Sequence, residues 1–177
     1  MNIQQLRVQA YRTAREHGFH ELDAYCLNDA HHHKCLIISE LMEAVNADRK
    51  GLHADMEAFE KYEGRITFEE NFERHIKDSV EDELADACLR ILDLASSKNI
   101  FLECEVSTHT LKGFLLTEEM YNIIHVLVGC EPLNRCLGIS FASICHLAER
   151  EGVDIERHIE LNMRYNQSRP RLHGKKY

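Results

Sequence analysis

The stretch Leu36-Ile-Ile-Ser-Glu-Leu-Met-Glu-Ala-Val-Asn-Ala47 decides the fold class of this chain. Its apolar residues, such as Ile37 and Leu41, recur every three or four positions, which is typical of one face of an α-helix. Gly51 follows this pattern and favours a helix end, so we expect a helix over about 30–50. Similar periodicity occurs at about 3–17, 78–98, 109–128, 134–151 and 154–166. Since no segment alternates as a strand does, the sequence predicts an all-α fold.

The length of 177 residues predicts one domain, 1–177. We expect two helical hairpins, the first at about 30–98 with an inserted segment at 52–77, and a degenerate second one at about 109–151. The second resembles the first at an offset of 78 residues, where Lys34, Glu40 and Gly51 are matched by Lys112, Glu118 and Gly129. Two packed hairpins would form a four-helix bundle core, and chance similarity of amphipathic helices is the alternative.

Composition and charge exclude several classes of function. Lys and Arg total 21 against 30 for Asp and Glu, which gives a net charge of −9 and argues against binding a nucleic-acid polymer. No apolar run approaches the ~18 residues of a membrane helix, so we expect no membrane partner. The seven cysteines are odd in number and contain no CxxC pair. We interpret them as reduced, mostly buried residues, which favours a cytoplasmic location.

Four acidic residues border the apolar faces of two predicted helices. Glu40 and Glu43 share one helix face, and Glu83 and Asp86 share another, because each pair is spaced by three residues. Carboxylates that face a bundle interior repel one another and resist desolvation, and a divalent cation relieves both problems. All-oxygen ligands select a hard ion, Mg²⁺ first and Mn²⁺ second. The alternative is a solvated surface, with Asp86 paired to Arg90.

The motifs Ser39-Glu-Leu-Met-Glu43 and Glu81-Asp-Glu-Leu-Ala-Asp86 resemble the ExxE…ExxD signature of the MazG-like all-α nucleoside triphosphate pyrophosphohydrolases, which include dimeric dUTPase-like members. The resemblance covers about 1–100 and again 165–177. The chain departs from the family in three ways. Ser39 stands where many members have a further Glu, the gap of 39 residues between the motifs is long, and the second hairpin lacks most of the acids.

The resemblance implies a helical bundle, a reaction and a set of site residues. The reaction is that of an Mg²⁺-dependent nucleoside triphosphate pyrophosphohydrolase, in which a metal-activated water attacks the α-phosphorus and pyrophosphate leaves. Glu40, Glu43, Glu83 and Asp86 would be the catalytic residues and the metal ligands, with Glu40 or Glu43 orienting the water. Apart from the resemblance, Asp93 follows Asp86 by seven residues on a similar helix face, so we expect it to support the metal ligands, with a buried partner of Arg90 or of the repeat as the alternative. Family members form dimers or tetramers, so we expect a homo-oligomer, with a dimer favoured.

Basic residues provide candidates for contacts with the triphosphate. The basic tail at 167–177 suits phosphate binding, since Arg can clamp two oxygens and Lys supplies a point charge, although a solvated chain end is the alternative. Outside the tail, Lys77 directly precedes the predicted helix at about 78–98, and Arg164 lies in the last predicted helix. These candidates are Lys77, Arg164, Arg169, His173, Lys175 and Lys176. The run His31-His-His33 is interpreted as an exposed helix start, because consecutive helical residues point in different directions and chelate one ion poorly.

Two other functions remain open at this stage. The chain could be a catalytically silent helical interaction module, with its acidic residues scattered over the surface. It could also be a related helical phosphohydrolase that acts on another nucleotide-like substrate. Release of pyrophosphate distinguishes the leading hypothesis from both.

Overall fold

Eight α-helices and no β-strand make up the part of the chain that the computed structural model describes, residues 2–102, 115–174 and 176. The prediction of an all-α fold is confirmed. Two short 3₁₀ turns, Asp23–Tyr25 and Arg171–Gly174, accompany the helices. The helices are α1 Ile3–Glu16, α2 Asp29–Lys50, α3 Met56–Tyr62, α4 Phe68–His75, α5 Val80–Ser97, α6 Leu116–Gly129, α7 Leu133–Arg150 and α8 Ile155–Ser168.

The helix ends follow local signals in the sequence. Gly51 ends α2 in the left-handed conformation, at φ 67°, as its position after the apolar pattern predicts. The side chain of Ser79 begins α5 by accepting a hydrogen bond from the backbone N–H of Asp82 at 3.2 Å. The predicted start of a helix near 109, and the repeat residue Lys112, lie outside the described residues.

Helix α5 lies at the centre of the fold, in contact with α1, α2, α7 and α8. Helices α2 and α6, and likewise α6 and α7, also contact each other, so that α2, α5, α7 and α6 form a closed ring of contacts. Fully buried apolar side chains fill this ring, among them Ile37, Ile91, Met120, Ile123 and Ile144. Helices α1 and α8 pack on the outer side of α5. The origin of the ring in two repeated hairpins stays a prediction.

The inserted segment, which the sequence marks only as charged and weakly periodic, folds into α3 and α4. It forms a second, smaller core with α8, in which Phe72 stacks on Tyr165 with ring centroids 4.4 Å apart. The Tyr165 hydroxyl donates to Glu73 Oε1 at 2.7 Å. The two ends of the segment meet, because the Val80 N–H donates to the Leu52 carbonyl at 3.0 Å. The insertion therefore covers α8 without separating α2 from α5.

Two further observations bear on the expectations from composition. Among the described residues, no helix has the length and apolar character needed to cross a bilayer. None of the described cysteines forms a disulfide, and Cys88 and Cys136 are buried. Cys35, by contrast, is exposed on α2, so it is not one of the buried thiols that we expected.

Candidate metal centre

Glu40 and Glu43 on α2 meet Glu83 on α5 at the interface of these two helices. One carboxylate oxygen from each residue lies within 4.8 Å of the other two. Glu40 and Glu83 are only 2% and 5% exposed, whereas Glu43 is exposed. The group therefore has a buried side and an open side, and a cation held by it would keep access to solvent and substrate.

Asp86, the fourth predicted ligand, lies one turn further along α5 and faces α8. It is half-buried, and Asn166 Nδ2 donates to its Oδ1 at 3.3 Å. Asp86 is not part of the group of three, but its charge contributes to the raised pKa of Glu83. The structure thus brings three of the four predicted ligands together and places the fourth beside them.

Asp82 is a buried carboxylate that the sequence reasoning missed. It is 4% exposed, and its oxygens accept hydrogen bonds from Asn162 Nδ2 at 2.7 Å and from the Asp78 N–H at 3.0 Å. In the sequence it follows Ser79 by three residues, which indicates no more than a helix cap. One signal does exist, because Asp82 and Asp86 share the spacing of four with Asn162 and Asn166.

The buried acids hold protons more tightly than free carboxyl groups do. Burial, together with the charges of Asp86 and Asp82, raises the pKa of Glu83 to about 9. Burial and the charge of Asp86 likewise raise the pKa of Asp82 to about 8. Burial also raises the pKa of Glu40, although the Arg90 cation opposes this shift. Without a cation, Glu83 and Asp82 are therefore protonated near neutral pH.

Two neighbouring side chains orient the glutamates of α2. Arg90 Nε on α5 donates a hydrogen bond to Glu40 Oε1. Ser39 Oγ donates to Glu43 Oε1 at 3.1 Å. Ser39 therefore helps to hold Glu43 in position without adding a carboxylate itself.

A cavity of about 70 Å³ adjoins the carboxylates on the side of α1 and α8. Asp86 and Arg90 line this cavity and also lie beside Glu40 and Glu83. The cavity is therefore next to the three clustered glutamates. The cavity is lined by both apolar and polar side chains. The apolar ones include Ala10, Phe19 and Met163, and the polar ones include Asp86, Arg90, Asp93, Asn166 and Arg169.

Only some of the basic residues that were predicted to bind phosphate lie at the cavity. Arg169 and His173 line the cavity. Lys77 lies at the start of α5 and donates to Asp78 Oδ1 at 2.7 Å. The guanidinium of Arg164 is exposed, lies 3.8 Å from the centre of the Phe68 ring and borders a groove with α1 instead. Lys176 is exposed, and Lys175 lies outside the described residues.

Two expectations about residues near the site need correction. Asp93, expected to support the magnesium ligands, instead accepts a hydrogen bond from His20 Nε2 at 2.8 Å. His33, expected in an exposed helix start, is only 4% exposed and bonded to Asp23. The sequence could not show either contact, because both depend on how the segment between α1 and α2 folds back.

Comparison of the chain with protein-family models, with curated proteins and with solved structures finds no match. The resemblance of the acidic motifs to the MazG-like enzymes therefore stays a prediction. The carboxylates, Arg90 and the adjoining cavity carry the inference of function that follows.

Proposed function

We propose that this protein is an Mg²⁺-dependent nucleoside triphosphate pyrophosphohydrolase, with a nucleoside monophosphate and pyrophosphate as its products. One observation carries the proposal. Carboxylate oxygens from two packed helices converge within 4.8 Å, two of the three residues are buried, and a cavity with an arginine in its wall adjoins them. Like charges are brought together at such cost mainly where a cation offsets their repulsion.

The ligand chemistry supports magnesium. Glu40, Glu43 and Glu83 would hold the ion, and Asp86, whose charge acts on Glu83, would contribute through a water attached to the ion. Oxygen donors alone favour Mg²⁺, and Mn²⁺ accepts the same donors. When bound, the ion would neutralise phosphate charge and activate water. Glu83 must lose its proton to bind the ion, so its raised pKa weakens Mg²⁺ binding as the pH falls.

The remaining residues provide binding and orientation. Arg169 and His173 are placed to contact phosphate oxygens at the cavity, and Asn166 holds both Asp86 and Arg169 in position through its amide group. Water would add to the α-phosphorus and lose a proton to solvent on the open side at Glu43, the bond to the bridging oxygen would break, and pyrophosphate would leave with the electron pair of that bond. Ser39 and Arg90 act as positioning residues, because each holds a glutamate.

The size of the cavity limits how a nucleotide can bind. A volume of about 70 Å³ holds a few water molecules or one phosphate group. Sites for molecules of drug size are typically about 300–1,000 Å³. We therefore infer that only a fragment of the nucleotide enters this cavity, and that the rest lies over Glu43 on the open side or enters when Arg169–Gly174 moves.

We include a cytoplasmic homodimer in the proposal, as the family resemblance implies. Exposed apolar side chains between α1 and α2, such as Leu22, Tyr25 and Leu27, provide surface that a second copy could cover. Light scattering on the purified chain, at concentrations above and below the micromolar range, tests the dimer.

The deciding experiment measures pyrophosphate release from eight nucleoside and deoxynucleoside triphosphates, with Mg²⁺ and with EDTA. We expect release from at least one nucleotide with Mg²⁺ only, and its loss in Glu83→Gln. The matched control is Glu118→Gln, an exposed acid that corresponds to Glu40 in the predicted repeat. Release of orthophosphate instead would indicate a different phosphohydrolase. No release, together with a melting temperature that Mg²⁺ leaves unchanged, would refute the proposal.

A further inference from the structure

A second cluster of metal-binding side chains lies away from the carboxylates, where the segment between α1 and α2 folds against both α2 and α5. His20 and Asp23 come from this segment, and His33 comes from the first turns of α2. One nitrogen or oxygen from each lies within 4.8 Å of the other two. Asp23 is the centre of the cluster, since its oxygens are 2.6 Å from His20 Nδ1 and 2.9 Å from His33 Nε2.

We propose that His20, Asp23 and His33 bind a zinc ion. Two imidazoles and one carboxylate are a donor set that zinc accepts, and imidazole disfavours Mg²⁺ relative to a transition metal. Tetrahedral zinc, with bonds of about 2.0–2.1 Å, places its ligands roughly 3.4 Å apart. The separations of His20 Nδ1 and His33 Nε2 from the Asp23 oxygens, 2.6 Å and 2.9 Å, are shorter than that spacing by less than about 1 Å. Asp23 and the two histidines would therefore have to separate only slightly to admit the ion.

Asp93 provides the support that a zinc-bound histidine requires. The second nitrogen of His20, Nε2, lies 2.8 Å from Asp93 Oδ1. A carboxylate in this position fixes the orientation of the imidazole and keeps the proton on Nε2, so that Nδ1 is the nitrogen that gives up its proton to bind the ion. A histidine between two carboxylates, one as a fellow ligand and one outside, is the arrangement commonly found around zinc in proteins.

Burial favours a four-coordinate ion over one with many water ligands. The side chains of His20, Asp23 and His33 are 10%, 20% and 5% exposed. A six-coordinate ion would need three further ligands in this space, whereas tetrahedral zinc needs only one. A water molecule could supply that fourth ligand from the side of Asp23, the most exposed of the three residues. The zinc would fasten the segment between α1 and α2 to α2, and through Asp93 to the wall of the cavity.

The test uses the full chain without a polyhistidine tag, stripped with a chelator and titrated with zinc against a chromophoric chelator. We expect one zinc ion per chain, and affinity lowered by more than about 100-fold in His33→Gln and in Asp23→Asn. Asp93→Asn should lower it about 10- to 100-fold, the range for residues that support a ligand. The visible absorption of Co²⁺ bound in place of zinc should show tetrahedral coordination.

Matched controls separate this site from other donors. His31→Gln alters an exposed histidine of the same helix turn, and Glu83→Gln alters the carboxylate group, so both should keep full zinc affinity. If His33→Gln fails to fold by circular dichroism, the half-buried Asp23 variant decides. No zinc binding, or binding that neither cluster variant weakens, would overturn the site and leave a hydrogen-bonded histidine–aspartate cluster. Pyrophosphate release is a separate measurement, so either proposal can fail alone.

Discussion

Arg90 of α5 donates a hydrogen bond to Glu40 of α2, which is also one of the candidate metal ligands. The carboxylate of Glu40 therefore interacts with a guanidinium of the protein itself. Arg90 lies beside the carboxylates on one side and lines the cavity on the other. Its guanidinium also lies 5.9 Å from the centre of the Phe19 ring. Arg90 therefore compensates part of the acidic charge whether or not a metal ion is bound.

Replacing Arg90 by glutamine should destabilise the protein and increase its dependence on Mg²⁺. The change leaves Glu40 buried without its cation, at a cost of about 2–3 kcal/mol in EDTA. Bound Mg²⁺ should restore part of that loss. Arg150→Gln is the matched control, because Arg150 pairs with the fully buried Glu119 at 2.6 Å across α6 and α7. Urea unfolding should show rescue by Mg²⁺ for the first variant only; equal rescue of both would contradict a metal centre at Glu40.

The stability of the metal-free protein should fall as pH rises from about 5 to about 9. Folding raises the pKa of Glu83 from 4.5 to about 9 and that of Asp82 from 3.8 to about 8. Between these values the folded chain binds more protons than the unfolded chain, so the free energy of unfolding decreases with pH. His20 acts in the same direction. Burial opposes its protonation, but Asp93 and Asp23 raise its pKa from 6.5 to about 9, and this contribution is lost as pH rises through that value.

Glu83→Gln should reduce this pH dependence and change the response to Mg²⁺. We compare the free energies of unfolding of the variant and of wild type in EDTA at pH 5 and at pH 8. Between these two pH values the difference should shift in favour of the variant by at least about 1.4 kcal/mol, which is the equivalent of one pKa unit. Mg²⁺ should stabilise wild type increasingly above pH 7 and leave the variant unchanged. Thermal unfolding across this pH range provides the measurement, and parallel curves for the two proteins would rule out Glu83 as the group responsible.

Arg169→Ala should raise the KM for the nucleotide about tenfold or more and change kcat less, because Arg169 contacts the cavity and not the carboxylates. Arg164→Ala is the matched control, since this arginine of α8 stacks on Phe68 outside the cavity. The control should leave KM within twofold. Steady-state rates of pyrophosphate release compare the two, and equal effects would show that the tail does not bind phosphate through Arg169.

Phe72→Ala should destabilise the protein by about 3–5 kcal/mol, because Phe72 is fully buried in the small core between α4 and α8. Phe101→Ala, at a side chain that is 66% exposed, should change stability by less than about 0.5 kcal/mol. Urea midpoints compare the two variants. A small effect of Phe72→Ala would mean that the inserted segment is not docked on α8.

The sequence predicts the long helices well, because their apolar periodicity and their caps are local signals. Glu40, Glu43 and Glu83 could be found for the same reason, since spacings of three place each pair on a face beside apolar residues. The cluster of His20, Asp23 and His33 could not be found in this way, and Asp82 is indicated only by the spacing of four that Asp82 and Asp86 share with Asn162 and Asn166. Their roles arise from partners about 70–80 residues away, such as Asn162 and Asp93, and no local pattern encodes which side chains meet across helices.

The hydrogen bond between Val80 and Leu52 means that the chain leaves the bundle and returns to it at a single point. The segment that contains α3 and α4 thus begins and ends at neighbouring points, next to the end of α2 and the start of α5. During evolution such a segment can lengthen, shrink or be exchanged while α2 and α5 keep their register, because neither helix end has to move. The segment can therefore change in length or sequence while the carboxylates of α2 and α5 keep their positions.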